Sequence, residues 1–227
     1  FSVLAIGIIV MQSVIVQFDT LGGEMVSNAA QNGFGAANKL NNLLMTPLNG
    51  LGTAMTSFTA QNLGAGDHAR IKKGTVQALI IVWTMCLISI AAGLLLSRGG
   101  GYLYIFLSPD KVTAETMRYG NTYLYVDLSL YLFLGFIFVV RNCVQGIGKP
   151  QFVLGAGAAE LAARVSVCLL LPPLIAGGAV NSDAPRAAVY ALCFADPFAW
   201  MAADAVLLVP FLRNIMKMDY RYLKGTM

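Results

Sequence analysis

The side chains best able to do chemistry in this sequence are ionisable groups inside long apolar segments, and Glu160 and Arg164 lead them. Charged groups are costly inside a membrane, so each raises a question of function. Their four-residue spacing places both on one face of a helix. One interpretation is an internal ion pair that neutralises both charges. The other is that Glu160 faces a water-filled cavity and binds a cationic substrate or a proton, with Arg164 tuning its protonation.

Three aspartates raise the same question. Asp127 lies among tyrosines and is interpreted either as a carboxylate near the outer interface, bonded to a tyrosine or the backbone, or as an ion-coupling group. Asp196 precedes Pro197, and a backbone group of a kinked helix could satisfy it. Asp204 is expected at an interface or between helices.

Other kinds of chemistry find little support. The sequence has no Gly-x-Ser-x-Gly motif, no paired histidines and no Cys-x-x-Cys, and its lone histidine, His68, lies in a basic loop. The four cysteines have no metal-ligand spacing, so neither an enzyme nor a metal site is predicted. The net charge of +4 is small and dispersed over loops, which argues against a nucleic-acid partner.

Composition predicts a helical membrane protein. The chain has 227 residues, of which 57% are hydrophobic and 11% charged, with a mean hydropathy of +0.69. A membrane-spanning helix needs about 20 apolar residues, and the apolar runs are too long for barrel strands. The fold class is therefore an all-α bundle, and six spans are predicted, at residues 1–18, 34–62, 74–96, 119–145, 151–171 and 187–212.

Prolines, glycines and polar residues mark the boundaries of these spans. Residues 19–32 are expected to form a polar loop, and Pro47 is expected to bend the second span. Pro172 and Pro173 are expected to end the fifth span. Because residue 1 is not Met and already lies in an apolar run, the first helix is expected to have lost its beginning.

The distribution of Lys and Arg predicts the orientation. One set of alternate loops carries nine basic residues and the other carries four. The richer set is expected in the cytoplasm. Both ends of the chain would then face the cytoplasm, and the first loop would face outward.

Three sequence blocks resemble the multidrug and toxic compound extrusion (MATE) transporters. The blocks are Gln-Asn-Leu-Gly-Ala-Gly at 61–66 with Arg70, Arg-Asn-Cys-Val-Gln-Gly-Ile-Gly-Lys-Pro at 141–150, and Phe-Ala-Asp-Pro-Phe-Ala-Trp at 194–200. Their order matches the C-terminal six-helix lobe. The resemblance assigns structural motif roles to Gln61, Asn62, Gly64, Gly66, Arg141, Gln145 and Gly146.

The resemblance implies a protein of twelve helices in two pseudo-symmetric lobes, of which this chain is one. Members export cationic drugs by alternating access, in exchange for H⁺ or Na⁺, with no other cofactor. It thus implies a bacterial inner membrane location and a partner in the missing N-terminal lobe. Glu160 with Arg164 is the first candidate for an ion or substrate site, followed by Asp127 and Asp196.

Alternatives remain open. Some branches of the MATE transporters carry a coupling glutamate in the first helix of this lobe. The first helix here offers only Gln12 and Gln17, so the sequence does not decide between H⁺ and Na⁺ as the coupling ion. A lipid-linked oligosaccharide flippase of the same superfamily should have a more basic cavity, and the fact that only Lys39, Arg141 and Arg164 are available disfavours it. A non-transporting membrane partner is the third alternative.

Overall fold

The computed structural model describes residues 2–217, which form a helical bundle with one small β-hairpin. Short 3₁₀ turns at Arg98–Gly100 and Pro109–Lys111 and a π-helical segment at Phe211–Met216 complete the order. The elements are α1 (Ser2–Gln17), β1 (Thr20–Leu21), β2 (Glu24–Met25), α2 (Ala29–Gly64), α3 (His68–Ser97), α4 (Leu103–Phe106), α5 (Ala114–Ser129), α6 (Tyr131–Gly146), α7 (Pro150–Ala176), α8 (Arg186–Cys193) and α9 (Ala195–Pro210).

Three helical segments of the described part are long and apolar enough to cross a membrane alone: His68–Gly100, Pro150–Ala176 and Arg186–Met216. A fourth arises if α5 and α6, bent by 56° at Leu130, count as one span. The predicted all-α membrane class is confirmed. Six crossings stay a prediction, because α1 is short and α2 is rich in asparagine. Arg221 and Lys224, which contribute to the predicted orientation, lie outside the described residues.

The outer surface of the bundle is apolar. Leu154 and Leu174 on α7 are 74% and 75% exposed, and Ile88 on α3 is 64% exposed. Large aliphatic side chains on the outside, with charged groups buried inside, suit a surface solvated by lipid.

Glycines set the close contacts of α2, the longest helix. At Gly33, α2 crosses α5, and a Cβ added to Gly33 would lie 2.8 Å from the Gly120 nitrogen. At Gly52, α2 crosses α6, and a Cβ added to Gly52 would lie 2.6 Å from Asn142 Nδ2. A Cβ added to Gly146 of α6 would lie 2.7 Å from a carbonyl oxygen of α2. Small residues at such crossings let two backbones approach closely.

The segment expected as a loop at residues 19–32 is largely ordered structure. Strands β1 and β2 pair antiparallel, and α2 begins at Ala29, earlier than predicted. The Asp19 carboxylate is fully buried and accepts hydrogen bonds from the Ala30 and Gln31 nitrogens, each at 2.9 Å. The carboxylate satisfies free N–H groups in the first turn of α2, which explains the early start.

The expectation that Pro172 and Pro173 end a helix is wrong. Helix α7 continues through both to Ala176 and ends at Gly177, which has a φ of +72°. A proline removes one backbone donor, and helices within a membrane bundle tolerate that loss. Helix α2 also continues through Pro47, as the predicted span at 34–62 requires, and the bend expected there stays a prediction.

Candidate functional site

Asp196 is the centre of a buried polar cluster. Its Oδ1 accepts a hydrogen bond from Arg164 Nε at 2.8 Å, and its Oδ2 accepts one from the Tyr123 hydroxyl at 2.9 Å. Asn38 Nδ2 in turn lies 3.3 Å from the Tyr123 hydroxyl oxygen. The expectation that a backbone group satisfies Asp196 is wrong, because side chains from α5 and α7 do so.

Glu160 lies between two arginines. Arg141 Nη2 donates to Glu160 Oε2 at 2.7 Å, whereas Arg164 Nη2 reaches Glu160 Oε1 only at 3.4 Å. The predicted Glu160–Arg164 pair therefore exists, but each residue has a closer partner elsewhere. The pairing continues from Arg141 through Glu160 and Arg164 to Asp196, linking α6, α7 and α9.

Asp127 is fully buried between helices, and its expected position near the outer interface stays a prediction. Its Oδ2 accepts a hydrogen bond from Asn41 Nδ2 at 2.8 Å, and Tyr123, one of the neighbouring tyrosines, also interacts with this carboxylate. Within residues 2–217, neither Asp127 Oδ1 nor Asn41 Oδ1 has a hydrogen-bond partner. Two buried acceptor oxygens are thus left without a donor, which is costly in an apolar interior.

Helix breaks place both aspartates. Helices α5 and α6 meet at Leu130, three residues after Asp127. Helices α8 and α9 meet at Phe194, and Asp196 is the second residue of α9. The first turn of a helix favours a negative charge, since its N–H groups point toward that end. Discontinuous helices are a common way to present polar groups inside a membrane.

A cavity of about 560 Å³ adjoins this cluster, between α1, α2, α5, α7 and α9. Asp196, Arg164 and Tyr123 line it, whereas Glu160 and Asp127 do not. Lys39 and the amides Gln12, Gln31, Asn38, Asn41 and Asn42 contribute further polar groups. The larger apolar contributors are Ile8, Met11, Ile15, Phe34, Met45 and Trp200.

Asp204 extends the charged groups along α9. It is half-buried, and Arg141 and Glu160 are the charged groups that act on it. Its Oδ1 has no hydrogen-bond partner within the described part of the chain, and neither has Arg141 Nε.

The first motif block closes the turn between α2 and α3. Gly66 has a φ of +72°, Asn62 Nδ2 donates to the Phe58 carbonyl at 2.6 Å, and Asp67 accepts from the Arg70 nitrogen at 2.9 Å. The Arg70 guanidinium lies 6.0 Å from the centroid of the Phe58 ring. These contacts give Asn62, Gly66 and Arg70 a structural role.

The second block repeats the same turn between α6 and α7. The Asp67 nitrogen donates to the Asn62 carbonyl at 2.9 Å, and the Lys149 nitrogen donates to the Val144 carbonyl at 3.2 Å. Gly148 has a φ of +73°, matching the first turn. Gln61, Gly64 and Gln145 are exposed, Gly146 packs against α2, and Arg141 belongs to the charged network instead.

Sequence reasoning missed the neutral members of the cluster. Asn38 and Asn41 are one helical turn apart on α2, and Tyr123 and Asp127 are one turn apart on α5. The spacing of the two pairs would have indicated facing polar stripes on neighbouring helices. Among residues 2–217, no group of three or more His, Cys, Asp or Glu side chains could hold a metal ion.

Comparison with known proteins gives a family. The MatE family profile matches residues 5–170, which include the first two motif blocks and both Glu160 and Arg164. No curated protein and no solved structure matches the chain. The match covers most of the sequence, and the chain belongs to the MatE family of multidrug and toxic compound extrusion transporters.

Proposed function

We propose that this chain works in a secondary active exporter that moves organic cations and other drugs out of the cell in exchange for H⁺ or Na⁺. The observation that carries the proposal is the cavity, which presents one buried carboxylate, Asp196, among apolar and amide side chains, with Arg164 and Lys39 as the other charged groups of its lining. A mostly apolar cavity with a few placed polar groups is typical of a site for small organic ligands.

Competition for Asp196 couples binding to conformation. A cation that binds Asp196 displaces the Arg164 guanidinium, which lies 2.8 Å away. Glu160 is a second acceptor for that guanidinium, on the same helix and 3.4 Å away. Arg164 is therefore not left unpaired when it moves, which avoids the large cost of an isolated buried charge. The exchange supplies the two arrangements that alternating access requires.

Asp127 is the proposed coupling position in this lobe. Its free Oδ1 can take up a proton, and together with Asn41 Oδ1 it offers oxygen ligands for a sodium ion. A charge bound there lies one helical turn from Tyr123, which donates to Asp196. Binding of the driving ion would thus be transmitted to the substrate carboxylate through α5.

A flippase for lipid-linked oligosaccharides is the second candidate function. The observation in its favour is that two of the three charged groups of the cavity, Lys39 and Arg164, are cations. Arg141, the third available cation, pairs with Glu160 outside the cavity instead.

The test is ethidium efflux from cells expressing the full-length protein. We expect efflux that an uncoupler or removal of sodium abolishes, and a loss of roughly tenfold in Asp196→Asn, since a charge-assisted contact is removed. Asp110→Asn, which alters an exposed turn residue, is the matched control and should keep wild-type efflux. The proposal would be contradicted if cells that express the wild-type protein show no gradient-dependent ethidium efflux.

A further inference from the structure

Five charged side chains of alternating sign form a row between α6, α7 and α9. Arg164 contacts Asp196 at 2.8 Å and Glu160 at 3.4 Å. Arg141 contacts Glu160 at 2.7 Å. Asp204 ends the row, since Arg141 of α6 and Glu160 of α7 are the charged groups that act on it. Three carboxylates of this charge row share two guanidiniums, so one carboxylate is always left without an arginine.

In this structure the carboxylate without an arginine is Asp204. It makes no ion pair with any of residues 2–217, and its enclosed Oδ1 has no hydrogen-bond donor among them. Arg141 Nε likewise has no acceptor in the described part of the chain. A donor and an acceptor on neighbouring members of the row are thus both unused, and each is costly to bury without a partner.

A single proton would balance the charge of this row. The row carries one net negative charge when all three carboxylates are ionised, because it holds two arginines. An unpaired carboxylate away from water is costly and is neutralised more readily than a paired one. Asp196 and Glu160 each contact a guanidinium, which leaves Asp204 as the member most favourable to neutralise.

The two arginines can move one carboxylate along the row. In the proposed exchange a cation takes Asp196 and Arg164 moves to Glu160, which then holds two guanidiniums. Like charges at one acceptor repel each other. Arg141 has a free Nε, and Asp204 Oδ1 is the free acceptor of the next group in the row. The carboxylate without an arginine is then Asp196, which holds the cation.

We propose that Asp204 is a proton site that empties when a cation binds in the cavity. As Arg141 approaches, the O–H bond of the Asp204 carboxylic acid breaks, the proton passes to water, and the carboxylate pairs with the guanidinium. One positive charge enters at Asp196 while another leaves at Asp204. A helical rise of about 12 Å along α9 separates the two positions, so the proton and the cation exchange without contact. The inference rests on the proposed function and adds a second ion position to Asp127.

Isothermal titration calorimetry of ethidium binding counts the protons that are released. The purified full-length protein in nonionic detergent is titrated in buffers of different ionisation enthalpy and at a series of pH values. Wild type should release about one proton per ethidium from Asp204. Its Kd for ethidium should therefore fall about tenfold for each unit of rising pH, until Asp204 has already lost its proton.

Substitutions assign the proton to its carboxylate. Asp204→Asn keeps the size and neutrality of the protonated acid and should release about one proton fewer than wild type. Asp127→Asn removes the other proposed ion position and should leave the release from Asp204 in place. Asp183→Asn, which alters an exposed loop residue, is the matched control and should behave as wild type. Infrared difference spectra give a check that needs no variant, since ethidium should remove a carboxylic-acid C=O band from wild type.

The inference is overturned if Asp204→Asn releases as many protons as wild type, or if Asp127→Asn alone abolishes the release. A wild-type protein that releases no proton also overturns it, and weaker ethidium binding in sodium than in choline chloride would then assign the exchange to sodium. Ethidium efflux separates this inference from the proposed function. Gradient-dependent efflux without Asp204-dependent proton release overturns the inference alone, whereas Asp204-dependent release without gradient-dependent efflux overturns only the proposed export.

Discussion

Arg164 is the residue on which the buried charges depend. It contacts Asp196 at 2.8 Å and Glu160 at 3.4 Å, and its side chain is only 7% exposed. Removing it would leave Asp196 buried without a paired cation among the described residues, whereas Glu160 would keep Arg141. The two carboxylates therefore depend on Arg164 to different degrees.

We expect Arg164→Gln to destabilise the full-length protein by about 3–5 kcal/mol, because an unpaired buried charge remains. The double variant Arg164→Gln/Asp196→Asn should recover much of that loss, since the unpaired carboxylate is gone. Thermal unfolding in detergent measures both, with exposed Arg98→Gln as the control. A double variant no more stable than Arg164→Gln would show that the unpaired Asp196 carboxylate does not cause the loss of stability.

The sequence predicted this cluster only in part. The four-residue spacing of Glu160 and Arg164 correctly indicated that they could meet. It could not show that each has a nearer partner on another helix, because Arg141 and Asp196 are brought in by tertiary packing. The Asn41–Asp127 contact joins residues 86 positions apart and was missed for the same reason.

At the scale of elements, the breaks at Leu130 and Phe194 are the features that place the aspartates. Pro197, three residues after Phe194, was a visible signal for the second break. No proline or glycine marks Leu130, so the bend of 56° could not be predicted there. Pro172 shows the converse, since α7 continues through it.

Substitutions of two glycines on α2 test how closely α2 and α6 must pack. Gly52→Leu should lower stability by about 1–3 kcal/mol, because the side chain would collide with Asn142 and the Phe138 carbonyl of α6. Gly50→Leu is the matched control, since an added Cβ there meets nothing within 4 Å. Tm values in detergent compare the two, and equal shifts would contradict a close α2–α6 crossing.

At the scale of the molecule, orientation stays a prediction that the cysteines make testable. Cys86, Cys143, Cys168 and Cys193 are all free and buried, so a membrane-impermeant maleimide should leave these four thiols unlabelled in intact cells. The substitutions Glu24→Cys and Ala65→Cys place thiols at exposed positions near opposite ends of α2.

The segment expected as a basic loop at residues 68–74 forms the first two turns of α3, and its basic residues predict that Ala65 faces the cytoplasm. The Glu24→Cys variant should therefore react in intact cells, and the Ala65→Cys variant should react only after permeabilisation. The reverse pattern would place the basic turn outside and overturn the orientation. Composition predicted the helical membrane class correctly, because an apolar chain has few other ways to satisfy its backbone.

Helix α1 contacts the side chain of Arg164 through a glycine. Gly7 faces this side chain, and an added Cβ would lie 3.0 Å from Arg164 Cδ and 3.3 Å from its Nη1. Helix α1 thus packs directly against one side of the Arg164 side chain. In the proposed exchange, displacement of Arg164 by a ligand changes this contact with α1. The first helix would then report occupancy of the cavity by its own position.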